Sequence, residues 1–480
     1  MHYICRCLAL LSSGNNIGCF FASTSGAPES NIDRIIKFWN AMEKGLTDRE
    51  EMIRWLYSLE NLGIKLGLEN MSRLLEKLGN PHRYFKSVHV AGTNGKGSTS
   101  SLIASILSSE GYRTALYTSP HLVELEERIK VDGKQITADE LLETAAEVRK
   151  AAEELFSGER RQITFFEIVT AIAFLHFSRK KVEYAVIEVG LGGRLDATNV
   201  IQPMVSVITH VALEHTELLG NTLSSIAFEK GGIIKPGIPA IVAETNQEAL
   251  GKLVSLASER GSELNMLKDI VSVNPVVNRW GELRVDISGL LEYNDVRSGL
   301  WGSYQLGNIG LAVAVAERLQ RMGVYLGDNS IREGLEKVSL RGRLQIAAGK
   351  KEFLFDSAHN PDAMAALSAS VRDVTGEDLL CVIGILSDKK IEDMMPYIRK
   401  LTTEVVCVSP KTTRARPADQ IMESARRHHL AGTIAGNVGD GMEVAAHEQT
   451  GRKIIVTGSI RTVGEAMEWW YAKYGEKLWT

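Results

Sequence analysis

The stretch Ser87-Val88-His89-Val90-Ala91-Gly92-Thr93-Asn94-Gly95-Lys96-Gly97-Ser98 leaves this chain few ways to fold. Its first five residues form a short β-branched run that reads as a strand. After the loop, Leu102, Ile103, Ile106 and Leu107 recur at the three-and-four spacing of one helix face. Strand, tight glycine loop and helix together open a βαβ unit, which commits the chain to an α/β sheet of mainly parallel strands. Glycines let the main chain come close to an anion, backbone N–H groups at the helix start point at it, and Lys96 adds a point charge. The general pattern G-x-x-x-x-G-K-[ST] is broken because Gly97 separates Lys96 from Ser98. A glycine-rich turn without a ligand has no need of a lysine between two glycines, so the reading is a nucleotide-phosphate cradle with Thr93, Asn94, Gly95, Lys96, Gly97 and Ser98 as its contacts.

The same rhythm runs along the rest of the chain. Between positions 50 and 78 apolar residues such as Ile53, Leu56 and Tyr57, then Met71, Leu74, Leu75 and Leu78, keep helical spacing until Asn80-Pro81 stops them. Strands are predicted over 113–118, 182–189 and 204–209, and helices over 138–156, 165–177 and 304–322. The 204–209 run is nearly all apolar, as parallel strands covered on both faces are. After Arg341-Gly342-Arg343 the alternation restarts, with strands over 352–355, 379–383, 404–408 and 453–456 and helices after Pro361 and over 462–474. At 480 residues the chain exceeds one ordinary core. Two α/β domains are expected, 42–339 and a smaller 340–480, with 1–41 a disordered extension or a mis-assigned start ahead of Met42.

Several function classes fall away. Arg6 before an apolar stretch and small residues from Ala22 to Ala27 imitate a secretory leader, but Ser12-Ser13-Gly14-Asn15-Asn16 breaks the apolar run, so a cytoplasmic protein is expected. No run of about 18 apolar residues exists, so no membrane span is expected. A net charge of −4, with Lys and Arg dispersed, argues against nucleic acid. Cys381 and Cys407 sit alone in strand-like runs and read as core residues, while Cys5, Cys7 and Cys19 show no metal or redox spacing.

A nucleotide cradle needs Mg²⁺, held by oxygen ligands together with phosphates and water. Glu188 closes an apolar strand before Gly190-Leu191-Gly192-Gly193, at the carboxyl edge where open α/β sheets bind ligands, although a strand-end Glu is often merely solvated. Asp196 and Asn199 add polar density nearby. His215, in Leu213-Glu214-His215-Thr216-Glu217, is by itself more often a structural loop histidine than a ligand. Asp356 and His359, in Phe355-Asp356-Ser357-Ala358-His359-Asn360-Pro361, again stand between strand and helix, where Asn360 also reads as a helix cap.

Together these motifs resemble one family from about Trp55 to Glu465: the folylpolyglutamate synthase and dihydrofolate synthase family of the Mur ligase superfamily. The resemblance rests on the loop, where Gly97 is the family's own variant, and on Tyr57-Ser58-Leu59-Glu60, Gly67-Leu68-Glu69-Asn70 and Thr118-Ser119-Pro120-His121-Leu122. It rests also on the segments 188–199 and 229–235, on Arg341-Gly342-Arg343-Leu344 and on Val456-Thr457-Gly458-Ser459. It implies a P-loop-type, mainly parallel sheet domain with a second, smaller Rossmann-like α/β domain. It implies ATP-dependent ligation of L-glutamate to a folate or pterin acid through an acyl phosphate, by a monomer acting on small molecules. By the same resemblance Ser119, Glu188 and His215 hold two Mg²⁺ ions, Lys230 is carried as a carbamate, Asn308 contacts the adenine side, and Arg343, Asp356 and His359 come from the second domain. Glu214 and Ser357 depart from it, standing where Asp and Gly are usual.

Two competing readings stay open on the sequence: the same chemistry on another pterin acid, such as a methanopterin-type cofactor, and a nucleotide-binding regulatory module without ligation. The second leaves Lys230, Asp356 and His359 without a task. Whether the first glutamate or later ones are added is not written in the motifs.

Overall fold

The computed structural model describes residues 49–59, 63, 67–156, 163–349, 351–447 and 451–475. The proposed extension 1–41, the start at Met42 and the three early cysteines lie outside the described residues. Of the unit Met1–Ile53, residues 49–53 are described and are helical. The compact unit Arg54–Thr480 holds three sheets. An eight-stranded sheet uses β1 (Lys86–Ala91), β2 (Thr114–Tyr117), β3 (Ile129–Val131), β4 (Lys134–Gln135), β5 (Tyr184–Glu188), β6 (Val205–Ile208), β7 (Ala240–Val242) and β8 (Leu264–Met266). Its order is β4-β3-β2-β5-β1-β6-β7-β8, parallel throughout except for β3 and β4 at one edge. A three-stranded antiparallel sheet comes next in the chain, with β9 (Ser272–Arg279), β10 (Glu282–Ser288) and β11 (Glu292–Ser298). The last sheet has six strands: β12 (Gln345–Ala348), β13 (Glu352–Phe355), β14 (Leu379–Ile383), β15 (Thr402–Cys407), β16 (Ala431–Ile434) and β17 (Ile454–Thr457), ordered β12-β13-β17-β14-β15-β16. Only β12 runs antiparallel in it. The fold is the expected α/β type.

Burial explains why the long apolar runs are strands. Side chains alternate across a pleated sheet, so a strand covered on both faces needs apolar residues at every position. In β14, Leu379, Cys381 and Ile383 enter one core while Leu380 and Val382 enter another, with Phe353, Val456 and Trp470. In β1, Val88 and Val90 join the first core with the helices Lys96–Ser109, Gln305–Arg321 and Asp328–Lys337, and Ala91 faces a third core under the helix Leu223–Gly231. That first core runs on into Leu354, Met364 and Leu367 beside the second large sheet. Cys381 and Cys407 are fully buried free thiols, and burial pushes Cys407 up to about 12, which fits core residues rather than nucleophiles. No helix among the described residues is long and apolar enough to cross a membrane.

Candidate active site

The carboxyl edges of the two large sheets face one cleft of about 640 Å³. From the first sheet come the loop after β1, Ser119 after β2, Glu188 at the end of β5 and His210, Glu214 and His215 after β6. From the second come Asp356 and His359 after β13, Lys389 after β14 and Ser459 after β17. All the predicted site residues line this cleft except Lys230.

The loop adopts the cradle conformation for steric reasons. Gly95 sits at φ +86° as the cap of the helix Lys96–Ser109, and a Cβ there would lie 2.4 Å from Asn308 Oδ1. A Cβ on Gly92, at φ +151°, would lie 1.8 Å from Thr209 Oγ1. Lys96 Nζ curls back to the carbonyls of Gly92 and Thr93, 3.1 Å from each. Asn308 packs under the loop, accepting from Thr99 Oγ1 at 3.2 Å and donating to Gln305 Oε1 at 2.7 Å.

Glu188 is buried and accepts the backbone N–H of Ser119 at 3.1 Å. Burial pushes its carboxyl up, against the pull of nearby Lys96. A carboxylate in that state gains from a cation placed beside it. Among the described residues no three His, Cys, Asp or Glu side chains form a ready metal cage. A nucleotide-bound Mg²⁺ does not need one, since phosphates and waters complete its shell, and the oxygens of Ser119 and Glu188 beside the cradle suit that ion. His215 caps the helix Thr216–Leu219 at φ +51°, ψ +40°, a left-handed conformation. Burial holds its imidazole pKa down.

Lys230 lies behind the loop rather than in the cleft. It is buried, its Nζ donates to Gly92 O at 2.7 Å, and burial followed by the charge of Lys96 brings it down to about 7. A lysine so buried is less firmly held as a cation than one in water.

On the opposite wall, Asp356 is buried and satisfied by Tyr304 Oη at 2.8 Å and by the N–H groups of Leu344 and Ala358, each at 3.0 Å. Burial raises its carboxyl, and desolvation followed by the charge of Asp356 holds the phenol of the half-buried Tyr304 well above its ordinary range. Asn360 caps the helix Pro361–Val374 by accepting from Ala363 N, as its bland reading required, and its amide also donates to Asn94 Oδ1 at 3.2 Å. Asn94 donates in turn to Asp362 Oδ2 at 2.8 Å. His210, not singled out in the sequence, bridges Asp362 at 3.2 Å and buried Glu244 at 3.3 Å. The hydrogen bonds it donates to those carboxylates, Asp362 first, raise it to about 10. Sequence reasoning does not reach Tyr304, Asp362 or Lys389 either. The signal available for His210 and Lys389 is their place just past a strand's carboxyl end.

The sequence profile of the Mur ligase middle domain matches residues 90–316, and that of the Mur ligase, glutamate ligase domain matches 342–460. The dihydrofolate synthase/folylpolyglutamate synthase of Bacillus subtilis is 34% identical over 375 residues, 77% of this chain and 87% of the relative. The chain belongs to the folylpolyglutamate synthase and dihydrofolate synthase family. The E. coli FolC structure in complex with DHPP and ADP is 30% identical, with a TM-score of 0.79 over 88% of this chain and 98% of that one. A bifunctional folylpolyglutamate synthase/dihydrofolate synthase with Mn, AMPPNP and L-glutamate bound is also 30% identical, with a TM-score of 0.76 over 87% and 97%. The chain is thus a member of this family of ATP-dependent acid–amino-acid ligases, and Ser357 and Glu214 both line its cleft. Ser357 is buried, and a Cβ on Gly342 would lie 2.8 Å from its hydroxyl. Glu214 reaches His359 and Lys389.

Proposed function

We propose that this chain ligates L-glutamate to a folate-type carboxylate, tetrahydrofolate polyglutamates or dihydropteroate, through an acyl phosphate, releasing ADP and phosphate. One observation carries the reading: a phosphate cradle and a buried carboxylate on one sheet edge meet Asp356, His359 and Arg343 on another across a single cleft. Phosphoryl transfer asks a protein mainly for alignment and charge stabilisation. The substrate carboxylate oxygen attacks the γ-phosphorus and ADP departs. The glutamate amine then attacks the acyl carbon, loses a proton and expels phosphate. Loop N–H groups and Lys96 hold the phosphates, and Arg343 supplies a second cation from the opposite wall. Glu188, Ser119 and His215 would hold Mg²⁺, two ions in this reading, and the metal would supply charge neutralisation on the phosphates when bound. Lys230 as a carbamate is supported by its burial and its pKa near 7: the neutral amine adds CO₂, loses a proton and becomes an anion. Asn308, hydrogen-bonded to Thr99 and packed beside Gly95, serves the nucleotide side. Closure of the two sheet edges over the cleft would keep water from the acyl phosphate.

The domain boundary is placed between 339 and 340, supported by profile matches that end at 316 and begin at 342. The enzyme is placed in the cytoplasm as a monomer, acting on small molecules without nucleic acid or membrane. Substrate labelled with ¹⁸O in its carboxylate tests the route. One labelled oxygen per turnover should appear in phosphate. Label retained entirely in the amide product and water would contradict an acyl phosphate.

A further inference from the structure

Glu214 takes part in neither chemical step, yet its carboxylate occupies a decisive place. It lies in the loop after β6, one residue before His215, on the first sheet's side of the cleft. Its Oε1 accepts from His359 Nε2 at 3.1 Å and from Lys389 Nζ at 3.0 Å, and both partners stand at strand exits of the second large sheet. The Glu214 and Lys389 side chains are 12% and 10% exposed. A charge pair so far out of water is held by geometry, and removing one partner leaves the other uncompensated. His215 occupies the left-handed region, unusual for a residue with a Cβ, and such conformations persist where the surroundings over-determine them. An aspartate here, one methylene shorter, would draw the carboxylate back from both partners.

We propose that Glu214 is a positioning residue, an interdomain clasp whose grip on His359 and Lys389 seats the second domain and fixes His215 in the closed cleft. The inference rests on reading the cleft as a ligase site. With the clasp formed, the backbone at Glu214-His215 is held from the far wall, so the imidazole and the phosphate cradle reach their working arrangement only when the second domain is docked. Small misplacements of such groups cost turnover far more than binding.

The test uses the full chain and the variants Glu214→Gln, Glu214→Asp, Lys389→Met and the double variant Glu214→Gln/Lys389→Met. Three readouts are taken: glutamate-dependent kcat, calorimetric Kd for Mg-AMPPNP, and radius of gyration by X-ray scattering with that nucleotide. Glu214→Gln and Lys389→Met should each lose kcat on the order of 10²-fold with Kd changed less than about threefold. The double variant should be no worse than the poorer single one. Glu214→Asp should lose at least about tenfold, and all variants should scatter as larger particles than the wild type. Wild-type kcat in Glu214→Gln, additive losses in the double variant, or unchanged scattering would overturn the clasp. If Glu214→Gln does not fold, Lys389→Met decides by the same criteria. A wild type without glutamate-dependent turnover defeats the ligase reading instead, and the scattering arm still judges the clasp.

Discussion

Lys96 and Lys230 show how one residue type serves two ends around a single loop. Lys96 stands at the start of its helix, beside the cleft, with two backbone carbonyls for company. Lys230, walled in under the loop, has lost the solvation that would keep it charged. Only the first can meet an incoming phosphate. Lys96→Ala should therefore lower turnover by about 10²–10³-fold, with the thermal unfolding midpoint unchanged, because the side chain packs on no core. Turnover near the wild-type rate would remove Lys96 from the mechanism. The motif makes Lys96 legible at once. Lys230 is reached only through resemblance, since burial of a lysine in a helix leaves no mark in local spacing.

At the scale of elements, the loop after β6 and the helix Pro361–Val374 are pinned together by His210. Its pKa is raised from 6.5 to about 10 by Asp362 and Glu244. A raised pKa means the folded state holds the proton more tightly, so the contribution is full below about 6.5 and is lost as pH rises towards 10. The difference in unfolding midpoint between wild type and His210→Gln should shrink steadily over that window, read by calorimetry. A constant difference from pH 6.5 to 10 would contradict the bridge. Legibility also divides by element. Apolar runs such as Leu379–Ile383 and, after its opening Glu352, Phe353–Phe355 are readable in the sequence, because strands covered on both faces have almost no polar position to confuse them. The sheet β9-β10-β11 escapes the sequence reading although Leu283, Val285 and Ile287 alternate with Glu282, Arg284, Asp286 and Ser288, all four of them partly exposed. Its neighbour β9 contains Pro275 and is largely exposed, so half of the signal is absent. Short strands such as β7 and β16 offer too few residues to show a period.

Across the whole molecule the chemistry depends on two sheets whose carboxyl edges meet, and backbone contact sets how closely. Gly464, in the helix Ile460–Tyr474, lies so near the loop after β2 that a Cβ would fall 2.2 Å from Leu122 O. Backbone cannot yield there, so Gly464→Ala should wedge the walls of the cleft apart. The expected result is a kcat lowered at least about tenfold with nucleotide affinity retained, measured by steady-state kinetics and calorimetry, and wild-type kcat would show that this approach is not needed. Such convergence is beyond the sequence, which places Glu188, Asp356 and His359 at strand ends without saying that those ends face one another. Ligation of glutamate to a folate-type acid is tested most directly by ADP release with and without L-glutamate against dihydropteroate, tetrahydrofolate and other pterin acids. Glutamate-dependent ADP release is expected with dihydropteroate or tetrahydrofolate, one ADP per amide formed; ADP release with none of the folate acids, or at a rate indifferent to glutamate, would contradict it.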